Sequence, residues 1–240
     1  MAVQVYQTDA EAFEAAANLV VTQLQAALAR GRARFALTGG HSGRALLTRF
    51  AQRADVAWDR IDYTLTDDRW VPGDDPDSNL RLARELLFGP CGVPAARIHP
   101  PPTERATPAA TAAAWAADLE GFAGRPPVLD VVVLALAPDG HIASLMPGSA
   151  ALAATAWAAG VAADEVGVEP RVARVTLTAP VLTGAGHVVM TAIGAERAAA
   201  LKAAVEAPVD PTRRPSQLLL PSARCTWIAD RAAAATLARQ

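Results

Sequence analysis

The chain has 240 residues, 52% of them hydrophobic and 19% charged, with a formal net charge of −2. This composition describes a globular protein with a large core and excludes a disordered chain; the charge leaves no field for nucleic acid or an anionic membrane. The N-terminus (MAVQVYQTDAEAFEAA) lacks the pattern of a signal peptide, no apolar run is long enough to span a bilayer, and Cys91 and Cys225 form no metal-spaced pair. These features predict a cytoplasmic protein with reduced thiols.

Val3–Tyr6 reads as a first strand, followed by a helix from Ala10 to about Arg30 that Thr8 or Asp9 can cap. Arg34–Thr38 is a buried strand running into Gly39-Gly40-His41-Ser42-Gly43, with a helix from Arg44 to about Arg53 beyond. Strand, glycine turn and helix N-terminus is a geometry that holds phosphate, because free N–H groups and the helix dipole point at the anion. The turn is neither a Walker A loop nor G-x-G-x-x-G, so by itself it is equally a plain strand-to-helix connection.

Ile61–Thr66 is the next strand and ends in a loop, Asp67-Asp68-Arg69, where the alternative for Asp68 is a salt-bridged loop entry. Ser78 or Asn79 can cap a helix over Leu80–Leu87. Ile98-His99 is a short strand before a stiff proline run, and a helix runs from Thr107 or Pro108 to about Phe122.

Leu129–Leu134 is a strand buried on both faces. It breaks at Pro138-Asp139-Gly140-His141, and ligands of open α/β sheets bind beyond the carboxyl ends of such strands. Histidine gives or takes a proton near neutrality, although a solvated histidine in a plain turn fits the same letters. Ala150–Gly167 is weakly patterned. Val172–Thr178 is a strand with Arg174 near its start, and Val188–Ile193 is a buried strand ending at Gly194. A helix over Ala195–Val205 then carries Arg197 in its first turn, Cys225–Ala229 is the last strand, and Asp230 caps a closing helix.

Strands alternate with helices throughout, which predicts an α/β fold: a single domain over residues 1–240, with a mainly parallel doubly wound sheet and helices on both faces.

Several stretches resemble one known family, the 6-phosphogluconolactonases. Thr38-Gly39-Gly40-His41-Ser42-Gly43 resembles their SGGSTP loop, and Asp67-Asp68-Arg69-Trp70-Val71-Pro72 with Asp77-Ser78-Asn79 resembles DERxVP…DSN. Pro138–Gly148 is similar to DGHTASLFPG, Arg174–Thr178 to RITLT, and Gly194–Ala198 to GxEKA. This chain departs from the pattern at Ala135 and Ala137, where glycines are usual, at His41 and Gly43, and at Arg197, which stands where lysine is usual.

The resemblance implies hydrolysis of 6-phospho-D-glucono-1,5-lactone, with His141 as general base toward water. Asp67 either orients His141 or holds sugar hydroxyls, and Asp139 shapes the turn. Gly39, Gly40, His41, Ser42, Arg69, Arg174 and Arg197 hold the phosphate or nearby hydroxyls. Ser144 does not sit in a G-x-S-x-G elbow, so no acyl-enzyme is expected. No zinc-spaced cluster is present, and neither metal nor cofactor is expected. The expected partner is a small sugar phosphate, with the chain a monomer or weak homodimer. Two alternatives are a glucosamine-6-phosphate deaminase, whose acid after Asp-Gly-His is replaced here by Leu145-Met146-Pro147, and a non-catalytic sugar-phosphate sensor.

Overall fold

The structure is a computed structural model describing residues 2–238. Its strands in chain order are β1 (Val3–Tyr6), β2 (Ala33–Leu37), β3 (Ile61–Leu65), β4 (Asp67–Arg69), β5 (Val131–Ala135), β6 (Ala158–Val161), β7 (Arg174–Leu177), β8 (His187–Ala192) and β9 (Cys225–Asp230). Its α-helices are α1 (Asp9–Ala29), α2 (Gly40–Ala51), α3 (Asn79–Ala83), α4 (Pro108–Ala123), α5 (Ala179–Thr183) and α6 (Ala198–Glu206).

Six strands form a parallel sheet in the order β1-β9-β8-β5-β2-β3. The central strands are buried on both faces, which is why they read as unbroken apolar runs. Phe35, Val131, Val133 and Val189 point into a core shared with α1 and α2. Ala36, Val132, Leu134 and Met190 point into the opposite core, with Trp115 and Leu119 of α4 and Leu201 of α6. The expected mainly parallel sheet with helices on both faces is therefore the observed one.

Thr8, of the two candidates, caps α1. Its Oγ1 accepts from the Glu11 N–H at 3.2 Å, and the Glu11 carboxylate accepts from the Thr8 N–H in return. Ser78 caps α3, which runs on into a π-helical turn, Arg84–Phe88.

Several local expectations are corrected. Asp67–Arg69 is not a loop but β4, the edge of a second, antiparallel sheet ordered β4-β7-β6. Strand β6 lies in the stretch that showed no pattern, because its four residues, AAGV, are too small and uniform to alternate. Helix α2 begins at Gly40 rather than Arg44, so His41 and Ser42 are in its first turn. Arg197 lies not inside a helix but at the N-cap of α6, after a 3₁₀ turn over Ala195–Arg197. Ile98 makes only one bridge, to Tyr63. Residues 231–236 form turns instead of a closing helix; Asp230 Oδ1 accepts from the Ala233 and Gly194 N–H groups at 2.8 and 3.1 Å.

Candidate active site

The connection from β2 leads to β3 on one side and the connection from β5 leads back into the sheet at β8 on the other, so the strand order reverses between β2 and β5. Connections leaving such a point part in opposite directions and open a crevice at the carboxyl ends. A cavity of about 150 Å³ lies there. Gly39, Gly40, His41, Ser42, Asp67, Arg69, His141, Arg174 and Arg197, all singled out from the sequence, line it together.

One wall is the N-terminus of α2. Its first-turn N–H groups are those a helix leaves unpaired, and the buried Ser42 hydroxyl has no partner among the described residues. Gly39 is needed for close approach. A Cβ there would lie 1.8 Å from Asn79 Oδ1, and Asn79 lines the cavity as well.

The small sheet supplies the second wall. The β4–β7 register sets Arg69 directly opposite Arg174, a like-charge pairing that is unfavourable without an anion between. Arg174 is only 4% exposed. It donates to the Pro170 carbonyl at 3.1 Å, and its Nε is buried without a partner. Burial pulls its guanidinium below the ordinary value, against the charge of Asp67. Arg69 donates to the carbonyl of Asp77 at 3.0 Å and to Asn79 Oδ1, and its Nε is likewise buried and unpartnered. Arg197 is fixed by the carbonyls of Leu136 and Ile193, at 2.9 and 2.7 Å, and pairs with Glu196.

The third wall is the turn after β5. Gly140 adopts φ +90°, a conformation glycine accepts readily. The chain thereby folds back, and His141 Nδ1 lies 2.6 Å from Asp139 Oδ1 while the His141 N–H donates to the same oxygen at 3.1 Å. A carboxylate only accepts, so Nδ1 carries a proton, and in the neutral ring the free lone pair is on Nε2. Burial raises the Asp139 carboxyl, but the contacts and charge of His141 outweigh it and leave the group below its ordinary value. The carboxylate that orients His141 is thus Asp139, given only a turn-shaping role from the sequence. Asp67 accepts instead from Ser144 Oγ at 2.6 Å and Thr66 Oγ1 at 3.2 Å.

Other residues find different places. Asp68 has no salt bridge among the described residues: its carboxylate accepts from the N–H groups of Arg69, Asn79 and Leu80 and from Ser78 Oγ, at the head of α3. Ala135 and Ala137 line the cavity at the positions where glycines were the usual pattern. His99 is remote from the cavity, bonded to Asp118 at 3.2 Å and stacked on Phe122. Asn79 was read as a possible cap and as the end of the DSN stretch, with no role in the site. Its link to Arg69 and to the Asp67 carbonyl, at 3.0 Å to the latter, depends on a fold-level contact. Among the described residues no group of three or more His, Cys, Asp or Glu side chains could hold a metal ion.

A helix N-terminus and three arginines beside a carboxylate-oriented histidine give this α/β crevice the chemistry to hold an anion and to move a proton. Over residues 7–227 the chain matches the family of glucosamine-6-phosphate isomerases and 6-phosphogluconolactonases, and it belongs to that family. The 6-phosphogluconolactonase of Synechocystis sp. is 34% identical over 229 residues, covering 93% of each chain. That of Mycobacterium tuberculosis is 33% identical over 239 residues, again covering 93% of each. The solved structure of the 6-phosphogluconolactonase from Trypanosoma brucei superposes with a TM-score of 0.85 at 26% identity, covering 98% of both chains.

Proposed function

We propose that this chain hydrolyses 6-phospho-D-glucono-1,5-lactone to 6-phosphogluconate, the lactone-opening step of the oxidative pentose phosphate pathway. The observation that carries the reading is His141, held by Asp139 from behind, lining the same cavity as Arg69, Arg174 and Arg197. Relatives covered over nine-tenths of their length are lactonases of this kind.

A lactone is a cyclic ester. His141 Nε2 takes a proton from water as the water oxygen attacks C1, and Asp139 stabilises the imidazolium. When the tetrahedral intermediate collapses, the bond from C1 to the ring oxygen breaks and His141 returns the proton to that oxygen. The product acid then ionises. The phosphate is held by the arginines, by Ser42 and His41, and by the N–H groups beside Gly39 and Gly40. Asp67 binds the substrate and is not the partner of His141. No serine nucleophile enters: Ser144 is fully buried with its hydroxyl on Asp67. In this reading the chain is one catalytic domain, a monomer or weak homodimer acting in the cytoplasm on a diffusible lactone, without nucleic acid or membrane.

The test is His141→Ala. Its turnover of the phosphorylated lactone, corrected for spontaneous opening, should fall by about a hundredfold or more with the Tm unchanged, the usual scale for a general base. A wild-type rate in that variant would remove His141 from the chemistry. Leu145-Met146-Pro147 supplies no acid after the turn, so glucosamine 6-phosphate should yield no ammonia; its release would reassign the chain as a deaminase.

A further inference from the structure

Asp67 lines the cavity yet is only 6% exposed, and both of its oxygens are met by hydroxyl groups. Thr66 Oγ1 reaches Oδ1 at 3.2 Å and Ser144 Oγ reaches Oδ2 at 2.6 Å. The second distance is that of a strong O–H···O⁻ bond. Each carboxylate oxygen has two lone-pair directions, and the one Thr66 proton is shared with the Leu37 carbonyl at 3.3 Å, so at least one acceptor site remains on each oxygen.

Ser144 is built in with care. It is fully buried, and its N–H donates to Thr176 Oγ1 at 3.2 Å. Thr176 is the cross-strand partner of Asp67 in the β4–β7 ladder. Asp67, Thr176 and Ser144 therefore close a ring that ties the turn carrying His141 to the small sheet. The residue before Ser144, Ala143, takes φ +50°, a left-handed conformation uncommon outside glycine, and lines the cavity. The chain tolerates that backbone where it swings the Ser144 hydroxyl onto Asp67. A carboxylate free to rotate would accept from any hydroxyl; one locked through Oδ2 presents its remaining acceptor sites in fixed directions.

We infer that Asp67 reads the hydroxyl pattern of the sugar ring and that Ser144 is the positioning residue that fixes its aim, making the pair a specificity element. The inference rests on the lactonase reading. Buried polar groups shaped for a substrate hydroxyl reject the analogue that lacks it, because they are then left unpaired.

The experiment compares kcat/KM for 6-phospho-D-glucono-1,5-lactone with its 2-deoxy, 3-deoxy and 4-deoxy analogues, corrected for spontaneous opening. In the wild type at least one deoxy lactone should be about tenfold or more poorer than the parent, the scale of a hydrogen bond to a charged group. In Ser144→Ala the parent should lose about that factor while the same deoxy lactone barely changes, so the ratio collapses toward one. Asp67→Asn should collapse it likewise, and that variant decides the matter if Ser144→Ala does not fold. Losses equal on all four lactones, or a wild type that treats all four alike, overturn the inference while leaving the lactonase reading standing. A wild type that does not accelerate opening of the parent overturns both.

Discussion

Asp139 and His141 stand two residues apart, and the 2.6 Å contact between their side chains is made within one glycine turn. The base and its orienting acid thus arrive on a single stretch of backbone, needing no long-range packing to meet. Asp139→Asn should keep the turn, since its amide oxygen can still accept from the His141 N–H. The same oxygen faces Nδ1, so the contact survives, but the negative charge that stabilises the imidazolium formed when His141 takes a proton is gone. We expect kcat to fall on the order of a hundredfold with little change in KM, read by steady-state assay beside a circular dichroism control. An unaffected kcat would leave Asp139 with its turn-shaping role alone.

Arg174→Met tests the phosphate site. Methionine keeps much of the buried volume and removes one member of the like-charge pair with Arg69. The phosphorylated lactone should lose about 1.5–3 kcal/mol in kcat/KM, while plain glucono-1,5-lactone is nearly unaffected. Inorganic phosphate should raise the Tm of the wild type by mass action and that of the variant much less. Equal losses on both lactones would show Arg174 to be a support of the fold or of the reaction centre.

Gly39→Ala pushes a methyl group into the Asn79 side chain. That amide is held by Arg69 and the Asp67 carbonyl and has little freedom to yield. A loss of about 1–3 kcal/mol in denaturant stability is expected, the range for overpacking, together with a raised KM. Asn79→Ala makes room, so the double variant should lose less than the two single variants summed. Simple additivity would contradict the contact.

Asp68 carries a pH signature. Burial pushes its carboxyl up to about 6, against the pull of the Asn79 and Leu80 N–H groups. A carboxyl whose folded pKa lies above its unfolded value stabilises the fold fully at low pH, and the contribution fades as pH rises through about 6. Between pH 7 and pH 4 the stability of the wild type should therefore gain relative to Asp68→Asn, read from paired denaturant melts. A constant difference across that range would mean that the four hydrogen-bond donors at Asp68 hold its pKa near the unfolded value.

Much of the parallel sheet was legible because burial on both faces leaves an unmistakable apolar run, as in Val131–Leu134. The cavity was legible because its residues follow strand ends. What stayed hidden depends on pairing across the chain. Asp67-Asp68-Arg69 has nothing of a strand in its side chains and becomes one only because β7 offers a free edge. The meeting of Ser144 with Asp67 spans 77 positions and hangs on the backbone angle of an alanine. Asp139 was visible as a letter, but its reach to His141 was not, since that follows from the φ of Gly140.

The arginines of the cavity sit in a chain whose formal net charge is −2. On the lactonase reading, a phosphorylated substrate approaching elsewhere should meet weak repulsion and be drawn toward this mouth, so that the field guides encounter as well as holding what arrives. Such guidance extends only about 8 Å at physiological ionic strength. Added salt should therefore slow capture of the lactone before it disturbs turnover of lactone already bound, and the enzyme's advantage over spontaneous opening should be greatest in dilute buffer.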